Sequence, residues 1–153
     1  LKRIFEKTQK MHIYFACSIT GGREEQSVYQ VIVDTLLKDG HIVPTAHLSN
    51  EDVMALEEIV DPFEIYTRDI KWIDESSVLI AEVSTPSHGV GFEISYALSK
   101  NKSVLCLYQD GKRISKMLTG NNHPNFDLVA YKHPGQIPPI IRDFIAHLNP
   151  IKR

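Results

Sequence analysis

Two glycine-bearing segments carry the residue types best suited to chemistry. The first, Ser18-Ile19-Thr20-Gly21-Gly22-Arg23, directly follows the apolar run His12–Ala16. Its two hydroxyls, its glycine amides and the start of a helix beyond it could hold a phosphate or a ribose. The same spacing also describes a tight strand-to-helix turn with an N-cap, and pattern alone leaves both readings open. The second segment, Pro86-Ser87-His88-Gly89-Val90-Gly91-Phe92-Glu93, again sets a hydroxyl and two glycines between a strand and a helix. If that helix starts near Gly89 or Val90, Glu93 falls in its first turn. There the helix dipole favours an ionised carboxylate, as a nucleophile requires. A capping-box glutamate reaching back to the turn fits the pattern as well.

Other carboxylates and the absent motifs narrow the chemistry. Asp69, between Arg68 and Ile70, reads alone as a solvated helix charge. It gains meaning as a partner for Glu93, because glycosyl transfer through a covalent intermediate needs two carboxyls about 5 Å apart. Glu82, at the end of an apolar run, reads as a cap or salt-bridge group. No Gly-Lys-Ser or Gly-Lys-Thr follows either loop, which argues against nucleoside triphosphate hydrolysis. Gly89 and Gly91 supply only part of a dinucleotide fingerprint. Without a Gly-x-Ser-x-Gly elbow, acyl transfer has no support. The histidines form no His-x-x-x-His pair and no cluster with Cys17 or Cys106, so neither a metal nor a cofactor is expected.

The elements that must position these groups alternate. Strands are expected at His12–Ala16, His41–Val43, Ser77–Val83, Ser103–Tyr108 and Leu128–Tyr131. Helices are expected over Arg23–Lys38, over two patches of Val53–Glu75 divided near Asp61-Pro62, over Val90–Lys100, briefly around Ile114–Leu118, and over Ile137–Leu148. This order implies an α/β fold, a single doubly wound, mainly parallel five-stranded sheet with helices on both faces, flavodoxin- or Rossmann-like. Ligands of such folds bind beyond the carboxyl ends of the strands, where both glycine segments lie.

Bulk properties agree with one domain. The 153 residues are 42% hydrophobic and 24% charged, an ordinary globular balance. A net charge of −2 gives no reason to expect a nucleic-acid polymer as partner, and no apolar run reaches the roughly 20 residues of a membrane span. Two cysteines in strand-like runs fit a reducing compartment, the cytoplasm, or the nucleus in a eukaryote. Residues 1–10 read as a leader or remnant outside the fold, and residues 11–150 as the domain.

Taken together, Tyr14–Glu24, Arg68–Trp72 and Ala81–Glu93 closely resemble the nucleoside 2-deoxyribosyltransferase superfamily, and best its 2′-deoxynucleoside 5′-phosphate N-hydrolase branch. The resemblance runs from about Met11 to Tyr131, with three motifs in the family's order. It implies a single nucleotide N-glycosidase domain in which Glu93 attacks C1′ of a deoxynucleotide. Asp69 serves as acid and base, and water releases deoxyribose 5-phosphate. Tyr14, at the end of the first strand, would orient Glu93 and border the sugar near C2′. By the same resemblance Ser18, Ile19, Thr20, Gly21, Gly22 and Arg23 form a nucleotide-binding loop, and Ser87 and Gly89 belong to the phosphate end. Ser115, with Met117 beside it, would be lent to the neighbouring site across a homodimer interface. The chain departs from the pattern at Thr20 and Cys17, where the hydrolases often carry arginine and glycine. A deoxyribosyltransferase, a CMP-type ribonucleotide N-hydrolase and a non-catalytic nucleotide sensor are the competing readings.

Overall fold

The computed structural model describes residues 9–20, 22 and 24–148. The leader expected at residues 1–10 therefore lies largely outside the described residues, as do Gly21 and Arg23. Strands β1 (Ile13–Ala16), β2 (Val78–Glu82), β3 (Ser103–Gln109) and β4 (Phe126–Tyr131) form one parallel sheet in the order β1-β2-β3-β4. All residues of β1 and β2 are buried, as expected of parallel strands covered on both faces.

The sheet has four strands, not the five expected. His41–Val43 contributes only an isolated parallel bridge, His12 to Ile42, at the free edge of β1. Ile13 N–H donates to the Ile42 carbonyl at 2.9 Å, and Ile42 N–H to Met11 at 2.9 Å. The pairing then stops because Pro44 has no N–H to offer. The next β1 donor, Phe15 N–H, goes instead to Thr45 Oγ1 at 2.9 Å. With the bridge counted as a vestigial second strand, the order is that of a flavodoxin-like sheet, whose switch point lies between β1 and β2.

Two helical layers cover the sheet. One face carries α1 (Gln26–Lys38) and α6 (Ile137–Leu148), whose Ile32, Leu36, Ile141 and Ile145 pack against Ile13, Phe15, Ile80 and Leu105. On the other face, α3 (Pro62–Glu75) and α4 (His88–Ser99) place Ile73, Val90, Ile94 and Ala97 over Tyr14, Ala16, Leu79 and Ala81. A 3-10 turn, Ala46–Ser49, the short α2 (Val53–Glu58) and α5 (Lys116–Thr119) complete the chain's main elements. Strand alternation thus divides β1 by parity, sending Ile13 and Phe15 to one layer and Tyr14 to the other. Tyr14 lies within β1 rather than at its end, and its ring is fully buried under α3 and α4.

Helix starts differ from the sequence reading in two places that matter. Helix α1 begins at Gln26, not Arg23, and its N-cap position is Glu25 without a side-chain cap. Neither Ser18 nor Thr20 therefore serves as its cap. Helix α4 begins at His88 because extended Ser87 caps it, with Ser87 Oγ accepting from Val90 N–H at 3.4 Å. Glu93 is consequently in the second turn, and no acidic residue occupies the first. The capping-box alternative is excluded, and so is a first-turn dipole as the source of Glu93's charge state.

Candidate active site

The loops leaving β1 and β2 border a cavity of about 330 Å³ roofed by α2, α3 and α4. Cys17, Ile19 and Thr20 line it from the first loop, Ser87, Gly89, Val90 and Glu93 from α4 and its cap, and Ile65 and Asp69 from α3. Gly89, Val90 and Glu93 share this wall because positions three and four apart lie on one helix face. Leu48, Met54, Glu57 and Glu58 close the remaining side. Ser18 is fully buried immediately behind Ile19.

Tyr14 and Glu93 meet across this floor. Tyr14 Oη donates to Glu93 Oε1 at 2.7 Å. Burial, then the neighbouring Glu93 and Asp69 charges, push the Tyr14 hydroxyl far above the ordinary tyrosine range, so it remains a donor at any physiological pH. Burial also pushes Glu93 up to about 7, against the Tyr14 hydrogen bond and the Arg68 charge, which favour its ionised form.

Asp69 is held from the side. Arg68 Nε donates to Asp69 Oδ1 at 2.8 Å, while the Arg68 guanidinium pairs with Glu57 at 3.2 Å and lies 4.7 Å from the centre of the Trp72 ring. His47 Nε2 stands 3.1 Å from the same Glu57 carboxylate. Burial raises the Asp69 carboxyl and Arg68 opposes that rise. Arg68, Glu57 and His47 are functional candidates that the sequence reading missed. The i, i+4 spacing of Arg68 and Trp72 was visible as a helical pair. Nothing in the sequence brings Glu57 from α2 or His47 from the preceding turn to α3.

The remaining expected site residues divide into two groups. Ile19, Thr20, Ser87 and Gly89 line the main cavity, and Gly22, at φ +127°, packs against Thr85, where a Cβ would stand 3.4 Å from Cγ2. Ser115 and Met117 are not brought to the main cavity of their own chain. They line a separate cavity of about 270 Å³ with Pro86, His88 and Arg113, which Ser87 borders from its other side. Within the chain, Ser115 Oγ caps α5 by accepting from Met117 N–H at 3.2 Å, and Met117 is 83% exposed. Among the described residues, no group of three histidine, cysteine, aspartate or glutamate side chains is placed to hold a metal ion.

The nucleoside 2-deoxyribosyltransferase family model matches residues 13–130, which span every strand of the sheet and both carboxylates. The chain belongs to this family. Relatives agree in length as well as in sequence. A Nematostella vectensis protein, provisionally named a 2′-deoxynucleoside 5′-phosphate N-hydrolase, is 40% identical over 141 residues, covering 89% of this chain and 95% of its own. The 5-hydroxymethyl-dUMP N-hydrolase of Danio rerio is 37% identical over 143 residues, covering 91% and 99%. Among solved structures, the CMP N-glycosidase of Clostridium botulinum superposes with a TM-score of 0.65 at 17% identity, over 86% of this chain and 98% of that one. That likeness carries the deoxyribosyltransferase fold alone. Among the described residues, no helix is long and apolar enough to cross a membrane.

Proposed function

We propose that this chain, over residues 11–150, hydrolyses the N-glycosidic bond of 2′-deoxynucleoside 5′-monophosphates, releasing free base and 2-deoxyribose 5-phosphate. The observation that carries the reading is the Tyr14–Glu93 hydrogen bond at 2.7 Å on the floor of a cavity that Asp69 also lines. Membership of the deoxyribosyltransferase family and the names of the two relatives support the bond cleaved and the deoxyribose sugar.

With Glu93 Oε1 occupied by the Tyr14 hydroxyl, Oε2 is the oxygen free to attack C1′. Asp69 protonates the departing base, and the glycosyl ester on Glu93 is then opened by a water that Asp69 deprotonates. Atoms balance: one water is consumed, its hydroxyl going to C1′ and its proton replacing the one given to the base. Burial raises both carboxyls, and the productive arrangement carries a proton on Asp69 and none on Glu93. The hydroxyls of Thr20 and Ser87, with the N-terminal amides of α4 and the segment Gly21–Arg23, hold the 5′-phosphate, whereas Ser18, expected among them, is fully buried and does not line the cavity. Such an anchor selects nucleotides over nucleosides, because its binding energy can serve the transition state.

The working unit in this reading is a homodimer that brings Ser115 and Met117 to the neighbouring cavity. Exposed Ile59, Phe63, Tyr66 and Phe92 around the α2, α3 and α4 rim support an apolar contact of that kind. The cytoplasm, or the nucleus in a eukaryote, suits two buried free cysteines.

The test is incubation with a panel of deoxynucleoside monophosphates, with CMP beside dCMP, followed by chromatography for free base. Glu93→Ala is expected to lose activity by on the order of a thousandfold or more. Unchanged base release by that variant overturns the mechanism. Transfer of the sugar to an added base in preference to water identifies a transferase. An intact nucleotide bound over long incubation identifies a sensor.

A further inference from the structure

A second buried carboxylate cluster lies beside the cavity and takes no part in the chemistry above. Glu82, the last residue of β2, is fully buried, and among the described residues no lysine, arginine or histidine pairs with it. Of the two expected roles, cap or salt bridge, the salt bridge is replaced by hydroxyl and amide donors. Ser84 Oγ donates to Oε1, Ser84 N–H reaches Oε2 at 3.3 Å, and Tyr131 Oη donates to Oε1 at 3.1 Å. Ser84 Oγ in turn accepts from Gln109 N–H at 2.8 Å, so this one carboxylate joins the carboxyl ends of β2, β3 and β4.

The next residue repeats the device toward the other loop. Thr85 Oγ1 donates to Glu25 Oε2, and Glu25 is only 5% exposed. Lys112 Nζ stands 3.6 Å from Glu25 Oε1. Gly22 approaches Thr85 from the first loop at the same place. Burying two carboxylates this close is costly, and well-packed apolar side chains would serve stability as well. What the carboxylates add is fixed position: Glu82 holds Ser84, Glu25 holds Thr85, and Ser87, two residues on, caps the helix that carries Glu93.

We propose that Glu82 and Glu25 are positioning residues for substrate binding, clamping Ser84 and Thr85 so that the loop ending at Ser87 stands at a set distance from the loop ending at Gly22. This rests on the reading that the cavity takes a nucleoside monophosphate. Neither carboxylate touches the reacting atoms in it.

The experiment uses the full chain with Thr85→Val, Thr85→Ser and Glu82→Gln. Equilibrium binding of a deoxynucleoside monophosphate is measured by calorimetry, and kcat and KM are measured in parallel after melting curves confirm folding at the assay temperature. Thr85→Val, which removes only the donor to Glu25, is expected to weaken binding and raise KM roughly tenfold, the scale of one lost hydrogen bond to a charged group, with kcat within about twofold. Thr85→Ser restores the donor and is expected to bind as the parent does. Glu82→Gln, which keeps one acceptor and turns an amide toward Ser84 N–H, is expected to weaken binding in the same direction. A folded Thr85→Val with unchanged affinity overturns the proposal, as does a fall in kcat at constant KM or a failure of Thr85→Ser to restore binding. If Thr85→Val does not fold, Glu82→Gln and Thr85→Ser decide alone. A parent chain that binds the nucleotide without cleaving it refutes the hydrolase reading while the binding comparison still judges the clamp. A parent that binds no monophosphate overturns both.

Discussion

Tyr14 opposes the effect of burial on Glu93 in a way that activity can report. Removing water pushes the Glu93 carboxyl up to about 7, while the hydrogen bond from Tyr14 favours its ionised form. In the proposed mechanism the attacking form is the carboxylate, so activity is expected to rise with pH through about 7. Tyr14→Phe removes the hydrogen bond that favours the ionised carboxylate, and the rising limb of kcat/KM is expected to move to higher pH, read from a pH–rate profile of the two proteins. A limb that stays in place or moves down contradicts the assigned role. Arg68 acts on both carboxyls, holding Asp69 and Glu93 down against burial. Arg68→Met is expected to move both limbs upward, the falling one because Asp69 then keeps the proton it gives the base to higher pH.

At the scale of elements, caps decide where the functional side chains fall. Asp61 caps α3 by accepting from Phe63 N–H at 2.9 Å, with Pro62 at the first helical position. Asp61→Ala is expected to cost about 1 kcal/mol, a melting temperature lower by roughly 2–4 °C, and to leave KM unchanged, since Asp61 does not line the cavity. Ser87 combines both roles, so Ser87→Ala is expected to lower the melting temperature by a similar amount and also raise KM, measured on the same preparation. The same logic explains the misplaced start of α4. Sequence offered Gly89 and Val90 as starting points, and the start at His88 depends on Ser87 turning extended to cap the helix. A two-residue shift there moves Glu93 by more than half a turn and replaces a dipole argument with a desolvation argument.

For the whole molecule, buried carboxyls link stability to pH. Glu82 and Glu93 are both pushed up to about 7, chiefly by burial, whereas the unfolded chain releases these protons near 4.5. The folded state therefore holds more protons between those values, and its stability is expected to fall as pH rises from about 5 to about 8. Fully buried Glu82 contributes on the order of a few kcal/mol to that slope. Glu82→Gln is expected to flatten the dependence, measured by denaturant unfolding across the range. The apolar rim makes a separate statement about assembly. Phe63 is 74% exposed and Phe92 51% exposed on adjacent helices. Replacing both by aspartate is expected to convert a dimer into a monomer in sedimentation velocity, and a parent that is already monomeric refutes the dimer.

Periodicity and turn chemistry were enough to read the alternating elements, the two faces of the sheet and the strand-end location of both glycine segments, since these depend on local patterns of two and 3.6 residues. The helix over Ile137–Leu148 and the break at Asp61-Pro62 agree with the structure for that reason. The end of the strand at His41–Val43 was legible only through Pro44, whereas the capture by Thr45 of the donor that a longer strand would have used was not. Glu82 looked like a cap or salt-bridge residue because sequence cannot reveal that its partners would be Ser84 and Tyr131, with no cation among the described residues. The meeting of Tyr14, Asp69 and Glu93, and the approach of Glu57 and His47 to Arg68, join segments far apart in the chain. Only the packing of α2, α3 and α4 over β1 decided those distances, and with them the charge states on which the chemistry of Glu93 depends.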